Sequence, residues 1–176
     1  NVNNCSKTKT FTVEASSTAL IEDIICNDFQ ENNTATIQIS SASLDDYEFS
    51  LDGSNYQDSN IFTNLAPGEY TAYVQDKKGC GIAFETFYIL DYPKYFTPNG
   101  DGYNDTWFIK NLDKRNLENS PINIFDRYGK FIKQISGASE GWNGTFNGNQ
   151  SPSNDYWFEI KLTNGQSIKG HFSLKR

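Results

Sequence analysis

The chain has 176 residues, of which 15% are aromatic and 21% charged, with a single histidine and no methionine. A formal charge of -7, with the 15 basic residues scattered instead of gathered into a stripe, would repel a phosphate backbone, so no nucleic-acid partner is expected. One histidine leaves little for imidazole-based catalysis, and no apolar run approaches the roughly 20 residues that cross a bilayer as a helix.

Apolar and polar residues alternate in short runs along the chain: Thr36 to Ile39, Tyr47 to Leu51, Tyr70 to Val74, Ile122 to Phe125, Phe158 to Leu162 and Ile168 to Phe172. Period-two patterning with Phe, Tyr, Ile and Val predicts half-buried strands. Turn dipeptides punctuate them at Asp52-Gly53, Pro67-Gly68, Lys78-Gly79, Asn99-Gly100, Tyr128-Gly129, Asn147-Gly148 and Asn164-Gly165. The segment from Asp113 to Asn119 is too short and polar for an amphipathic helix and reads as a loop or single turn. The expected class is all-β, as two tandem antiparallel β sandwiches of immunoglobulin-like type.

A register match divides the chain. Asn4-Cys5 followed by Thr10-Phe11-Thr12-Val13 parallels Gly79-Cys80 followed by Thr86-Phe87-Tyr88-Ile89, the mark of an internal repeat. On this reading residues 1–16 are the last strand of a truncated preceding module and residues 17–91 are one complete module. Residues 92–176 form a terminal domain, joined through the stiff segment Tyr92-Pro93-Lys94. No signal peptide stands at Asn1, as expected if an amino-terminal part precedes it. Cys26 opens the complete module and Cys80 lies near its last strand, so a Cys26–Cys80 disulfide is expected, worth about 4 kcal/mol in the chain-entropy model. Cys5 is left to an upstream partner.

The densest motif is Phe96-Thr97-Pro98-Asn99-Gly100-Asp101-Gly102-Tyr103-Asn104-Asp105, a polar loop between hydrophobic flanks. It resembles the opening signature of the gliding-motility-associated C-terminal domain family, the type B sorting domain of the type IX secretion system of Bacteroidetes. The similarity continues through Ile122-Asn123-Ile124-Phe125-Asp126-Arg127-Tyr128-Gly129, then Gly141-Trp142-Asn143-Gly144, and ends on Lys169-Gly170 and a closing Arg176. Asn154-Asp155 stands where the family commonly has Gly-Thr, a change that a turn tolerates. Upstream, Phe62-x-Asn64-Leu65-x-Pro67-Gly68-Glu69-Tyr70 and Asp76-Lys77-Lys78-Gly79-Cys80 look like the immunoglobulin-like repeats of large gliding adhesins.

The resemblance implies a function without catalysis or cofactor. The terminal domain would be read by the outer-membrane type IX translocon and its shuttle protein and held at the cell surface by a dedicated outer-membrane anchoring partner, with the preceding module as a stalk spacer. The loop from Thr97 to Asp105 and the last strand, Ile168 to Lys175, are the expected contact surface, the strand by edge augmentation.

Three other chemistries can be weighed. Asn99, Asp101, Tyr103 and Asp105 alternate like the first half of a calcium loop, although Lys110 stands where such a loop places its closing glutamate. Trp142, Tyr156, Trp157 and Phe158 are candidates for a sugar-stacking platform, the alternative function being a carbohydrate-binding tip module; alternation puts Trp157 on the face opposite Tyr156 and Phe158. For catalysis there remain only Asp45-Asp46, Asp101 with Asp105, and His171, without a nucleophile paired to a base, so the chain is not expected to be an enzyme.

Overall fold

The computed structural model describes residues 7–10, 17–40, 43–162 and 167–176. The proposed leftover strand, Cys5 and the Asn164-Gly165 turn therefore fall outside the described residues, wholly or in large part. Among the described residues helix is limited to two single 3-10 turns, Leu44–Asp46 and Asp113–Arg115, the second inside the segment expected to be a turn. Everything else regular is strand, in several antiparallel sheets, as the period-two patterns predict.

The first domain has β1 (Ile21–Asn27), β2 (Asn33–Ile39), β3 (Tyr47–Ser50), β4 (Ile61–Leu65), β5 (Gly68–Asp76) and β6 (Ile82–Ile89). They form two three-stranded antiparallel sheets, β1-β2-β4 and β3-β5-β6. Alternation decides which side chains meet between them: Ala35, Ile37 and Ile39 of β2 face Phe49 of β3, Ala72 and Val74 of β5, and Phe87 and Ile89 of β6. Asp76, buried at the end of β5, shapes the turn that follows, its carboxylate accepting the N–H groups of Lys78 and Cys80 at 3.2 and 3.0 Å.

No bond joins Cys26 to Cys80, which corrects the expected disulfide. The Cys80 carbonyl accepts the Thr18 hydroxyl, so Cys80 lies at the start of the chain's run into β1, whereas Cys26 stands near the far end of that strand. At about 3.3 Å per residue the separation is roughly 20 Å or more, against the ~7 Å between Cα atoms that a disulfide requires. Burial pushes the Cys26 thiol up to about 11, only partly offset by the nearby Arg115 guanidinium, so it stays protonated at neutral pH.

The second domain has β7 (Tyr95–Phe96), β8 (Pro121–Asp126), β9 (Phe131–Ser136), β10 (Thr145–Phe146), β11 (Asn149–Gln150), β12 (Asn154–Lys161) and β13 (Ser167–Leu174). Five of these form one sheet in the order β7-β13-β12-β8-β9, antiparallel except for β7 against β13, and β10 and β11 make a separate hairpin around Asn147-Gly148. The layer opposite the sheet is largely irregular chain. Trp107 and Trp142 exchange both backbone hydrogen bonds at 2.9 Å, and an isolated bridge links Asp91 to Lys110. Aromatic bulk fills the space under this layer, with Phe96, Trp107, Trp142, Phe158 and Phe172 all fully buried.

The junction is part of the second core. Leu90 and Tyr92 are both buried there, the Pro93 carbonyl accepts the Trp107 indole N–H at 2.9 Å, and Lys94 accepts from Ser173. The first domain reaches into the same core through the turn after β1. Phe29, a non-glycine residue at φ 63, meets Tyr92 edge-on at 5.0 Å and Phe158 at 5.9 Å. Beside it the buried Asp28 carboxylate accepts the Leu90 N–H at 2.9 Å and pairs with the Arg115 guanidinium. A left-handed aromatic residue is costly locally, by about 1–3 kcal/mol, and this packing across the junction offsets it.

Candidate functional site

The signature loop leaves β7 and returns toward Trp107, and its polar residues fold it onto itself. Asp105 sits at the centre: one carboxylate oxygen accepts the N–H groups of Asn99 and Gly100 at 3.0 and 2.7 Å, the other that of Gly102 at 2.8 Å. Asp101 accepts the Tyr103 N–H at 2.8 Å and the Asn99 amide at 2.8 Å, while the Asn99 side-chain oxygen accepts the Asp101 N–H at 3.0 Å. Thr97 donates to the Asn104 carbonyl at 2.8 Å, closing the base. Gly100 and Gly102, at φ 80 and 87, supply the left-handed turns that bring successive N–H groups inward.

This geometry does not build a calcium cage. The oxygens of Asn99, Asp101 and Asp105 point at N–H donors, and Tyr103 is 77% exposed. Among the described residues no group of three or more His, Cys, Asp or Glu is placed to hold a metal ion.

The Gly100 N–H first, and then that of Gly102, hold the Asp105 carboxyl below the ordinary carboxylate range. A depressed folded value means that the contribution of Asp105 to loop order is fully present above the unfolded value, about 3.9, and is lost as pH falls through the lowered folded one. Amide chemical shifts of Gly100 and Gly102 should accordingly stay constant down to about pH 4 and move only below it. Movement centred at or above that ordinary value would mean that the carboxylate does not organise the loop.

Distant motif residues converge on this end of the domain. The Arg176 guanidinium donates to the carbonyls of Pro98 at 3.3 Å, Gly144 at 3.0 Å and Ser151 at 3.1 Å, and its backbone N–H donates to the Ser153 hydroxyl at 3.0 Å. A Cβ on Gly144 would stand 2.8 Å from Leu174 and 3.1 Å from Pro98, so the close approach of these segments requires glycine. Trp142 stands beneath, 5.6 Å from Phe96, with its indole N–H on the Thr145 carbonyl at 2.8 Å. Phe96 through Asp105, Trp142, Gly144 and Arg176 are therefore one structural unit. Lys169 and Gly170 are not part of it: Lys169 pairs with Glu159 at 3.4 Å further back along β13, and Gly170 gives room to the Phe158 ring and the Tyr92 hydroxyl near the junction.

The last strand, expected as an edge for augmentation, is paired on one side with β12 along its length and on the other with β7 at Ser173 and Leu174. β7 and β9 are the outermost strands of this sheet, but β7 spans two residues, so among the described residues Ser167–Phe172 of β13 pairs with no strand on that side. The sugar platform proposed at Trp142, Tyr156, Trp157 and Phe158 is likewise not formed, because all but Trp157 are core residues.

Residues 90–174 match the model of the CHU_C type IX secretion signal domain. This half of the chain is a type IX secretion signal domain. Its match begins at Leu90, which agrees with a junction buried in the domain's own core. Among solved structures, 90% of the chain overlays 23% of PorZ, a surface component of the type IX secretion system of Porphyromonas gingivalis, at 16% identity and a TM-score of 0.39. A biofilm-associated protein's BSP domain is covered to 30% by 89% of the chain at 10% identity and a TM-score of 0.31. The 47-kilodalton lipoprotein Tp47 of Treponema pallidum is covered to 54% by 96% of the chain, at 10% identity and a TM-score of 0.28. The chain thus spans less than a third of the first two structures and about half of the third. No curated protein matches it.

One glycine tests how tightly the signal domain's opposing layer is built. Gly141 has φ 90, and a Cβ there would lie 2.6 Å from the Trp107 carbonyl oxygen, a backbone atom that cannot swing away. Gly141→Ala is expected to cost at least about 2 kcal/mol from strain and overpacking together. Gly148→Ala, at φ 78 but with open space around it, should cost only about 1 kcal/mol. Urea midpoints of the two variants check the difference.

Proposed function

We propose that the chain is the carboxy-terminal region of an extracellular surface protein, an adhesin or motility protein. Its signal domain is read at the signature end by the outer-membrane type IX translocon and its shuttle protein, and is then held at the surface by an outer-membrane anchoring partner. The first domain serves as a spacer, and the role of this region is recognition and not catalysis. The convergence of Arg176 with Pro98 and Gly144 carries this reading, since it gathers the opening motif, the Trp-x-Gly motif and the segment after β13 into one preformed end. Asn99, Gly100, Asp101, Gly102 and Tyr103 are exposed there although their backbone is fixed from within. A translocon can therefore read a rigid shape without ordering a disordered tail, which lowers the entropic cost of binding.

The test is delivery of a fluorescent reporter fused ahead of the whole chain, with a secretion leader, in a gliding Bacteroidetes strain. The reporter is expected on the surface only with a working translocon. Tyr103→Ala, at a side chain 77% exposed, should reduce surface signal several-fold at unchanged thermal stability, whereas Tyr128→Ala, exposed on the β8–β9 turn, should not. Retention of the unsubstituted fusion in the periplasm would overturn the sorting reading. Equal delivery by both variants would move the recognition surface away from the signature loop.

A further inference from the structure

The outward face of the five-stranded sheet carries an aromatic row that the sorting reading does not use. His171 of β13 is opposite Trp157 of β12, Trp157 is opposite Phe125 of β8, and Phe125 is opposite Phe131 of β9. Cross-strand register therefore sets four ring side chains side by side, perpendicular to the strands, over roughly 14 Å at the usual strand spacing. Trp157 and His171 rings lie 6.0 Å apart at an interplanar angle of 31°, close to a common surface, and Phe131 stands edge-on to Phe125 at 6.1 Å and walls the far end. Trp157 is 41% and Phe131 51% exposed. An open hollow of ≈ 430 Å³ lies over Trp157 and Phe125 and is bordered by Arg127, Glu159 and Lys169.

The neighbouring cross-strand row is polar. Lys169 is opposite Glu159, Glu159 is opposite Asn123, and Asn123 is opposite Gln134. Lys169 and Glu159 are 3.4 Å apart and balance each other's charge, and the Gln134 amide donates to the Asn123 oxygen at 2.9 Å. That bond uses one donor of Gln134 and one acceptor of Asn123, leaving each amide further capacity for a ligand's hydroxyls. On the other flank the Ser173 hydroxyl donates to the Asp155 carboxylate.

We propose that this face binds a neutral polysaccharide chain. Pyranose rings present apolar C–H faces and a rim of hydroxyls, which matches an aromatic strip one ring wide between hydrogen-bonding rows. A charge-balanced flank in a chain of net charge -7 favours an uncharged ligand over an anionic one. A protein partner fits less well. With Trp and Phe at roughly 150–250 Å² each, the exposed part of the row amounts to a few hundred Å², well short of the ~800 Å² per partner of a stable interface. The row is also continuous, unlike the singly scattered apolar residues that are normal on a surface.

The experiment is native affinity electrophoresis of the whole chain through gels holding a soluble β-glucan, a galactomannan or dextran, against a gel without polymer. Retardation by at least one polymer is expected, with affinity at least tenfold weaker in Trp157→Ala and in Phe131→Ala and unchanged in Phe84→Ala, an exposed aromatic of the first domain. Trp107 and Trp142 are fully buried, so a fluorescence titration of the unsubstituted chain reports Trp157 and keeps the test decisive even if a variant fails to fold. A saturable emission change with the retarding polymer supports the site. No retardation by any of the three, equal retardation of the Trp157 and Phe131 variants, or an unresponsive Trp157 would overturn it. Light scattering that shows a dimer lost in Trp157→Ala would overturn it in favour of a second copy of the chain. All readouts use purified protein, so they stand or fall separately from export.

Discussion

Trp107→Ala is expected to lower the stability of the signal domain by about 3–5 kcal/mol, the range for removing a fully buried large aromatic. Trp107 stacks on Phe172 at 3.9 Å and 12°, meets Phe158 at 5.0 Å and Tyr92 at 6.2 Å, and is itself fully buried. Its loss opens a cavity that the sheet on one side and the Trp142 bridge on the other are too constrained to close. It also removes the indole donor of the Pro93 carbonyl at the junction. For a domain of this size each kcal/mol shifts the midpoint by roughly 4–8 °C, so thermal unfolding followed by near-UV circular dichroism should move by about 12 °C or more. Trp157→Ala, on the solvent face, should move it by no more than a few degrees. Similar shifts in the two variants would contradict an aromatic core centred on Trp107. Export of the reporter fusion should fail with Trp107→Ala, since the signature loop rests on this core.

The second large effect is expected from Arg115→Ala. The Asp28 side chain is completely buried, and Arg115 is the cation paired with it. Removing one member of a buried pair leaves the other charge uncompensated, at a cost of about 3–5 kcal/mol. The Leu90 N–H remains as a donor and keeps the effect toward the lower part of that range. Asp28 belongs to the first domain and Arg115 to the second, so the loss falls on the contact between them. Calorimetry should show the first domain unfolding at a lower temperature than in the unsubstituted chain, separated from the second. Asp28→Asn added to Arg115→Ala should recover at least half of the loss, because the amide oxygen still accepts from Leu90 and no charge is left buried. Failure of that double variant to recover would mean that side-chain volume, and not charge, was lost.

Alternation was readable wherever a strand has one buried and one wet face. Thr36 to Ile39 and Phe158 to Leu162 lie in central strands, β2 and β12, whose neighbours on both sides enforce the pattern. β1, β4 and β9 went unrecognised for the opposite reason. They are edge strands with few buried residues, unlike the edge strand β3 with its buried Tyr47 and Phe49, and partial burial blurs the period, as in Phe131-Ile132-Lys133-Gln134-Ile135-Ser136. The opposing layer of the signal domain could not be read as strand, because Trp107 and Trp142 are held by a single bridge and by ring packing and not by a ladder. The Cys26–Cys80 pairing failed because distance along a chain says nothing about which ends of two strands are adjacent. Phe29, Asp28 and Arg115 carried no local pattern, and only the packing of one domain on the other gives them a role.

By itself the sequence determined the all-β class, the turns set by Gly and Asn, and the identity of the signal through Phe96 to Asp105, Trp142 and Gly144. These are local properties: side-chain period, backbone conformations open to glycine, and a motif whose hydrogen bonds close within ten residues. Tertiary structure alone decided that Arg176 ties that motif to Gly144, that the junction is buried, and that His171, Trp157, Phe125 and Phe131 form one row. Each of these depends on strand order and register, and register is set by the summed burial of all strands in a sheet and not by any segment of the chain.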